Sequence, residues 1–366
     1  MQNLDKISLN FILSTGRTGS TLLSSMLNMH PNVISTSEEP FAYNLYSKYH
    51  SVSNWNDEMI ESFCNDFFLF SEGKLDAQFG SKEDLKDILK KNQSILHGIN
   101  AIKLAYFAFL PNKNKSEITT IVDKELAFHL VLDKVAIYYP QSKFIILHRD
   151  PRDNILVKIK RTKTKGRGAS LFYFAKFWDY TYNSLNDKLK NIESSRYLHI
   201  KYEDLVSAPE QTLQNICGFL DINYHSEMLN FNQKFNREIK SDDSKLNKSL
   251  KEHIGILHQS LSEQVNTNKV GLWKKELSAH DNNLIWSICG KTAIVNGYSA
   301  EGCQNISYFK ISYLYDWLQF INKRVIVPKI YNLLPFKLKY FLKKVKYRKQ
   351  LKQDKLIVSK QPESQM

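Results

Sequence analysis

Two clusters of residues in this 366-residue chain have the types and spacing to hold anions. The first, Gly16-Arg17-Thr18-Gly19-Ser20-Thr21, lies inside FILSTGRTGSTLLSSMLNMHP, between the apolar run Phe11 to Leu13 and Leu22, Leu23, Met26 and Leu27 at helical spacing. A glycine-rich turn from strand to helix aims unpaired backbone N–H groups and the positive end of a helix dipole at one point, which suits a phosphate or sulfate. An ordinary turn capped by Ser20 or Thr21 would leave the same local signature. The second cluster, in KFIILHRDPRDNILVKIKR, sets Arg149 at the end of the apolar run Phe144 to Leu147 and follows it with Arg152, Lys158, Lys160 and Arg161. Guanidinium groups match phosphate oxygens as planar forks, although Asp150 and Asp153 could equally pair with these arginines at a solvated helix start.

Strand candidates at Ile99 to Lys103, Ile118 to Val122, Phe144 to Leu147 and Tyr197 to Ile200 are separated by helical stretches such as Leu126 to Tyr138 and Leu171 to Leu189. The alternation predicts an α/β fold with a central, mainly parallel sheet flanked by helices. Ligands on such sheets bind at the carboxyl ends of the strands. The glycine-rich loop, Asp123-Lys124 and His148-Arg149-Asp150 are all expected there. A helical insertion over about residues 41–97 is expected between the first and second strands, where it could cover a substrate. The polar stretch Asn232 to Lys251 reads as a mobile loop.

Length and composition, with 42% hydrophobic and 24% charged residues, describe a globular chain. The net charge of +14 is concentrated near the C-terminus: between Trp317 and Gln353 there are 11 Lys and Arg and no Asp or Glu. With Pro335 suited to a helix start, Leu334, Leu338, Phe341 and Val345 fall on one helical face among Lys337, Lys343, Lys344 and Lys346. Such a helix suits either a membrane surface or an acidic partner, or else docks on its own domain. Nucleic acid is disfavoured because no base-reading module accompanies the charge. The division expected is a catalytic domain over 1–305 and a basic amphipathic extension over 306–366. Four cysteines without C-x-x-C spacing, isolated histidines and the lack of a long apolar run point to a metal-free cytoplasmic protein, peripheral at most on the inner membrane surface.

The paired clusters resemble the sulfotransferases that use 3′-phosphoadenylyl sulfate (PAPS), in which an RSGTT-like loop holds the 5′-phosphosulfate and RDPRD opens the 3′-phosphate segment. The likeness extends through YLHIKYEDLVSAPEQTLQNICGFLDI, KVGLWKKELS and CGKTAIVNGY, in family order over about residues 9–300. It implies a P-loop NTPase-like sulfotransferase fold, from the glutamate-base branch that includes bacterial, Golgi-type and tyrosylprotein enzymes. It further implies PAPS as co-substrate without a metal, and in-line sulfuryl transfer to a hydroxyl, or secondarily an amine. A glycan is the expected acceptor, with peptide or small-metabolite hydroxyls as further classes.

By the same resemblance Gly16, Arg17, Thr18, Gly19, Ser20 and Thr21 hold the 5′ side, and Arg149, Arg161, Tyr202, Lys269 and Gly271 the 3′-phosphoadenosine side. Glu38 or Glu39 is the base: spacing from Arg17 favours Glu38, and the EP dipeptide favours Glu39. Arg17 and Lys124 stabilise the leaving oxygen, with Lys103 as a competing cation and His148 read as a strand-end residue. Val157 stands where the family usually has a phosphate-binding serine, so either Lys158 or, better, Arg161 substitutes, or binding of the 3′-phosphate is weakened. Two rivals are set against this reading. One is an ATP-dependent kinase or NTPase, which needs a lysine directly after Gly19 where Ser20 stands. The other is a non-enzymatic membrane-surface or nucleic-acid-binding protein on a degenerate scaffold.

Overall fold

The computed structural model describes residues 4–37, 41–70, 81–107, 115–126, 128–164, 170–233, 261–308 and 310–346. Five parallel strands, β1 (Ser8–Leu13), β2 (Val33–Ser37), β3 (Thr120–Glu125), β4 (Phe144–His148) and β5 (Tyr197–Lys201), form one sheet in the order β2-β3-β1-β4-β5. After β1 the chain builds one side of the sheet with β2 and β3, then crosses to the other with β4. The crevice at the carboxyl end of β1, between β3 and β4, is therefore the switch point at which ligands of such sheets bind.

Side chains of successive strand residues point to opposite faces, so each strand feeds two cores. Phe11, Leu13, Ile121, Phe144 and Ile146 pack into one, and Ile12, Val122, Ile145 and Leu147 into the other. The first core is covered by α2 (Phe41–Tyr49), α3 (Asp57–Phe70), α4 (Lys82–Lys91), α5 (Gly98–Phe107), α6 (Leu132–Tyr138) and α8 (Leu171–Leu189). The second is covered by α1 (Ser20–Met29), α9 (Tyr202–Ser207) and α10 (Pro209–Phe219). Between β4 and α8 runs α7 (Pro151–Thr164), with Pro151 opening its first turn. Late in the chain α11 (Trp273–Glu276) precedes α12 (Ala279–Val295), which lies against α7 and α8.

Two sequence expectations are corrected. Ile99 to Lys103 is not a strand but part of α5, which is buried on nearly every side; a short apolar run without alternation does not distinguish a buried strand from a buried helix. Val33–Ser37 is the second strand, so the helical insertion follows β2 rather than β1. Its small hydroxyl residues Ser35 and Thr36 carry little apolar signal, yet Ser35 hydrogen-bonds Ser24 on α1 and Thr36 donates to Asp123 on β3. Most of the segment Asn232 to Lys251 lies outside the described residues.

Candidate anion site at the end of the first strand

The loop after β1 turns on three residues in the left-handed region, Gly16 (φ 74°), Arg17 (φ 60°) and Gly19 (φ 84°). Gly19 is required twice over: its φ suits glycine, and a Cβ there would stand 2.6 Å from the Tyr202 ring. Gly19 is also the N-cap of α1 and supplies no side-chain cap. The turn capped by Ser20 or Thr21 is thus not what forms, and the helix N-terminus keeps its positive end directed at the loop. Ser20 is buried in the first turn, and Thr21 Oγ1 accepts a 3.1 Å hydrogen bond from Lys124 Nζ.

The second cluster is tied to this loop by its own side chains. Arg149 Nη1 donates to the Arg17 carbonyl at 3.5 Å, while Nη2 donates to the Lys269 carbonyl. Its guanidinium also lies 4.3 Å from the centre of the Tyr202 ring. Asn154 Nδ2 donates to the Gly16 carbonyl at 3.0 Å. Asp153 accepts from Gly271 N at 2.7 Å and Trp273 N at 2.9 Å, and stands 3.8 Å from Arg149. Four segments far apart in sequence therefore converge, bringing Gly16, Arg17, Gly19, Arg149, Tyr202, Lys269 and Gly271 together. Lys269 joins them through its backbone carbonyl, its side chain being exposed.

Three buried polar atoms in this cluster, Arg149 Nε, Thr18 Oγ1 and Asn154 Oδ1, have no hydrogen-bond partner among the described residues. Buried donors are normally satisfied, so Arg149 Nε and Thr18 Oγ1 favour an acceptor-rich anion at this place, whereas Asn154 Oδ1, an acceptor, calls for a donor. The surroundings are polarised accordingly. Burial raises the Asp153 carboxyl from its ordinary value while Arg149 and the two backbone amides oppose that rise. Burial also raises the Tyr202 phenol, with Arg149 again opposing.

The sequence offered Arg152 as a cation for an anion and Asp150 and Asp153 as partners of the arginines, and gave no role to Asn154. The structure gives each a distinct task. Arg152 is fully buried, bonds Asp150 and the Ser299 and Ala300 carbonyls, and lies 3.7 Å from the Trp273 ring centre. Glu203 accepts from Asp150 N and from the Tyr298 hydroxyl, which joins YEDLV and the closing NGY to the same end of the sheet. Arg152, Asp153 and Asn154 are marked for these roles by their burial on the first turn of α7, which no local feature of the sequence displays.

The candidate cations separate clearly. Lys124 lies within β3, buried, on the α1 side of the sheet, and reaches Thr21. Lys103 instead donates to the Leu4 carbonyl, ahead of β1 and at the opposite end of the sheet, and burial lowers its pKa. It is excluded as a site cation. Lys158 turns into the packing between α7 and α8, 5.2 Å from the Phe177 ring centre, with Nζ lacking a hydrogen-bond partner among the described residues. Burial, reinforced by Arg324, pushes it down to about 7. Arg161 lies one helical turn past Val157 and is half-buried. His148 is buried within β4 beside the Tyr298 hydroxyl, and burial holds its imidazole down at about 3. Glu38 and Glu39 lie outside the described residues; β2 ends at Ser37, which pairs in register with Lys124. Among the described residues no group of three or more His, Cys, Asp or Glu side chains could hold a metal ion.

With this geometry in view, the comparisons with known proteins are direct. A family model described as "Sulfotransferase family" matches residues 10–226. A putative protein-tyrosine sulfotransferase of Caenorhabditis briggsae is 25% identical over 236 residues, covering 64% of this chain and 72% of that protein. Protein-tyrosine sulfotransferase A of Caenorhabditis elegans is also 25% identical, over 63% of this chain but 54% of its own length. Among solved structures, the sulfotransferase domain of a Synechococcus olefin synthase is 20% identical with a TM-score of 0.45, covering 78% of this chain and 94% of that domain.

Proposed function

The chain belongs to the sulfotransferase family, and from that premise we propose that it moves a sulfuryl group from PAPS to an acceptor hydroxyl. The observation that carries this reading is the buried, unpartnered pair Arg149 Nε and Thr18 Oγ1 beside a left-handed loop at an uncapped helix N-terminus. That set of donors fits a phosphosulfate and its neighbouring phosphate.

In the reaction the acceptor oxygen bonds to sulfur as the bond from sulfur to the 5′-phosphate oxygen breaks, and the acceptor proton passes to a carboxylate. Glu38, immediately after β2, takes that proton; Glu39 is the alternative base. Arg17 and Lys124 stabilise negative charge growing on the leaving oxygen, the kind of preorganised electrostatic support that lowers barriers most. Arg149 and Arg161 hold the 3′-phosphate, and Tyr202 with the Lys269–Gly271 turn bounds the nucleotide. With Lys158 packed against Phe177, Arg161 is the cation that makes up for Val157. For the acceptor, the basic surface suits a glycan, whereas the names of the nematode relatives favour a peptide tyrosine.

Calorimetric titration tests the donor site. Binding of 3′-phosphoadenosine 5′-phosphate that is lost when the 3′-phosphate is removed supports the reading. Preference for ATP with Mg²⁺, or no nucleotide binding by folded protein, overturns it. Glycan and tyrosine-peptide panels with labelled PAPS then decide the acceptor.

A further inference from the structure

The C-terminal extension does not bury the face that its sequence would bury. Leu314–Phe320, Ile321–Ile326 and Val327–Leu333 form successive helical turns, and residues 336–346 form another helix. The extension is fastened to the domain by a few side chains. Phe320 packs on Tyr173 and Tyr180, Arg324 donates to the Tyr173 hydroxyl, and Phe336 lies 5.4 Å from the Phe70 ring. Lys339, a cation, is buried near Tyr43, whereas Leu338 and Phe341 face solvent.

The exposed apolar residues are large and recur along the extension: Tyr315 (70% exposed), Leu318 (51%), Ile330 (55%), Leu333 (79%) and Phe341 (58%). Exposed Lys323, Lys329, Lys337 and Lys344 are interleaved with them, and between Trp317 and Lys346 there is no Asp or Glu. A monomeric soluble protein rarely shows so large an apolar surface without a partner. We propose that this surface lies on an anionic lipid bilayer, its apolar side chains entering the acyl boundary and its lysines meeting the lipid phosphates.

The charge selects this occupant. A second copy would bring like-charged, acid-free surfaces together, and an anionic headgroup layer complements them. No helix among the described residues is long and apolar enough to cross a membrane, so the contact is made along the surface. The inference stands independently of the donor and acceptor chemistry, and would hold the anion site near membrane-bound acceptors.

Truncating the chain before Lys323 is a poor test, because Arg324 also covers Phe177 at 4.1 Å. The cleaner experiment is vesicle sedimentation of the full chain on phosphatidylcholine with and without about one third phosphatidylglycerol. Wild type is expected to bind the anionic vesicles, and less so as salt rises. Ile330→Glu/Leu333→Glu/Phe341→Glu is expected to bind at least about tenfold more weakly, and each exposed lysine changed to Gln to cost roughly fivefold. Unchanged circular dichroism and thermal transition in these variants show that the fold is kept. Equal binding to both vesicle types, or triple-variant binding equal to wild type, overturns the proposal. So does a concentration-dependent dimer of wild type that the triple variant abolishes, which would make the surface an interface between copies.

Discussion

At the carboxyl ends of β1 and β4, buried polar side chains hold backbone in place: Asn154 bonds Gly16, Asp153 bonds Gly271 and Trp273, and Arg149 bonds Arg17 and Lys269. In the C-terminal extension the arrangement is reversed, with Lys339 buried while Leu333 and Phe341 stand in solvent. The first region is built so that each polar group has a neighbour or awaits a ligand atom. The second carries apolar area that its own domain leaves uncovered. The contrast separates a site organised before ligand arrives from a surface completed only by its partner.

The comparison can be broken first at the loop itself. Arg17→Ala is expected to lower turnover by about 10²–10³-fold, the scale for removing one preorganised donor to a developing charge, with a smaller change in nucleotide affinity. Steady-state and equilibrium binding measurements together would show it; equal losses in both would place Arg17 in ground-state binding instead. Arg149→Ala should weaken 3′-phosphoadenosine 5′-phosphate by about 10–100-fold in calorimetry, the range for lost hydrogen bonds to a charged group. Asp153→Asn removes one of two acceptor oxygens from the Gly271 and Trp273 amides and should cost about 1–2 kcal/mol in denaturant unfolding. Insensitivity to that change would show that the late loop is held by other contacts.

Two buried titratable groups sharpen the comparison through pH. Lys158 is held near 7 in the folded state and titrates near 10.5 when unfolded, so the unfolded chain binds more protons between those values. Its handicap is therefore full below about pH 7 and relieved as pH rises toward 10.5. Lys158→Met should stabilise by about 1 kcal/mol at neutral pH, flatten that rise, and leave nucleotide binding unchanged, whereas Arg161→Ala should weaken it. A second slope is expected from Asp123, which accepts from Thr36 and Tyr106 while burial pushes its carboxyl above the ordinary value. Its folded form keeps a proton that the unfolded form loses, so its contribution declines as pH rises from about 4 toward the raised folded value. Asp123→Asn should remove that slope from a stability profile.

Much of this was legible in the sequence because the signals are local. A glycine-rich turn between an apolar run and a helical period, the RDPRD turn after FIILH, and the unbroken helix Leu171–Leu189 depend on neighbours in the chain and on backbone needs such as the positive φ at Gly16 and Gly19. Together with their order they determined the α/β class and the family, and pointed to the carboxyl ends of the strands as the place of the candidate anion site. What only the tertiary structure decided is which long-range partner each side chain meets. Ile99 to Lys103 became helix through its burial among helices, Val33–Ser37 became a strand through hydroxyl contacts to α1 and β3, and Lys124 rather than Lys103 reached the loop. The same holds for Lys158 and for the apolar face of the extension. Periodicity records which residues share a face, but the covering of that face depends on contacts made across the whole fold.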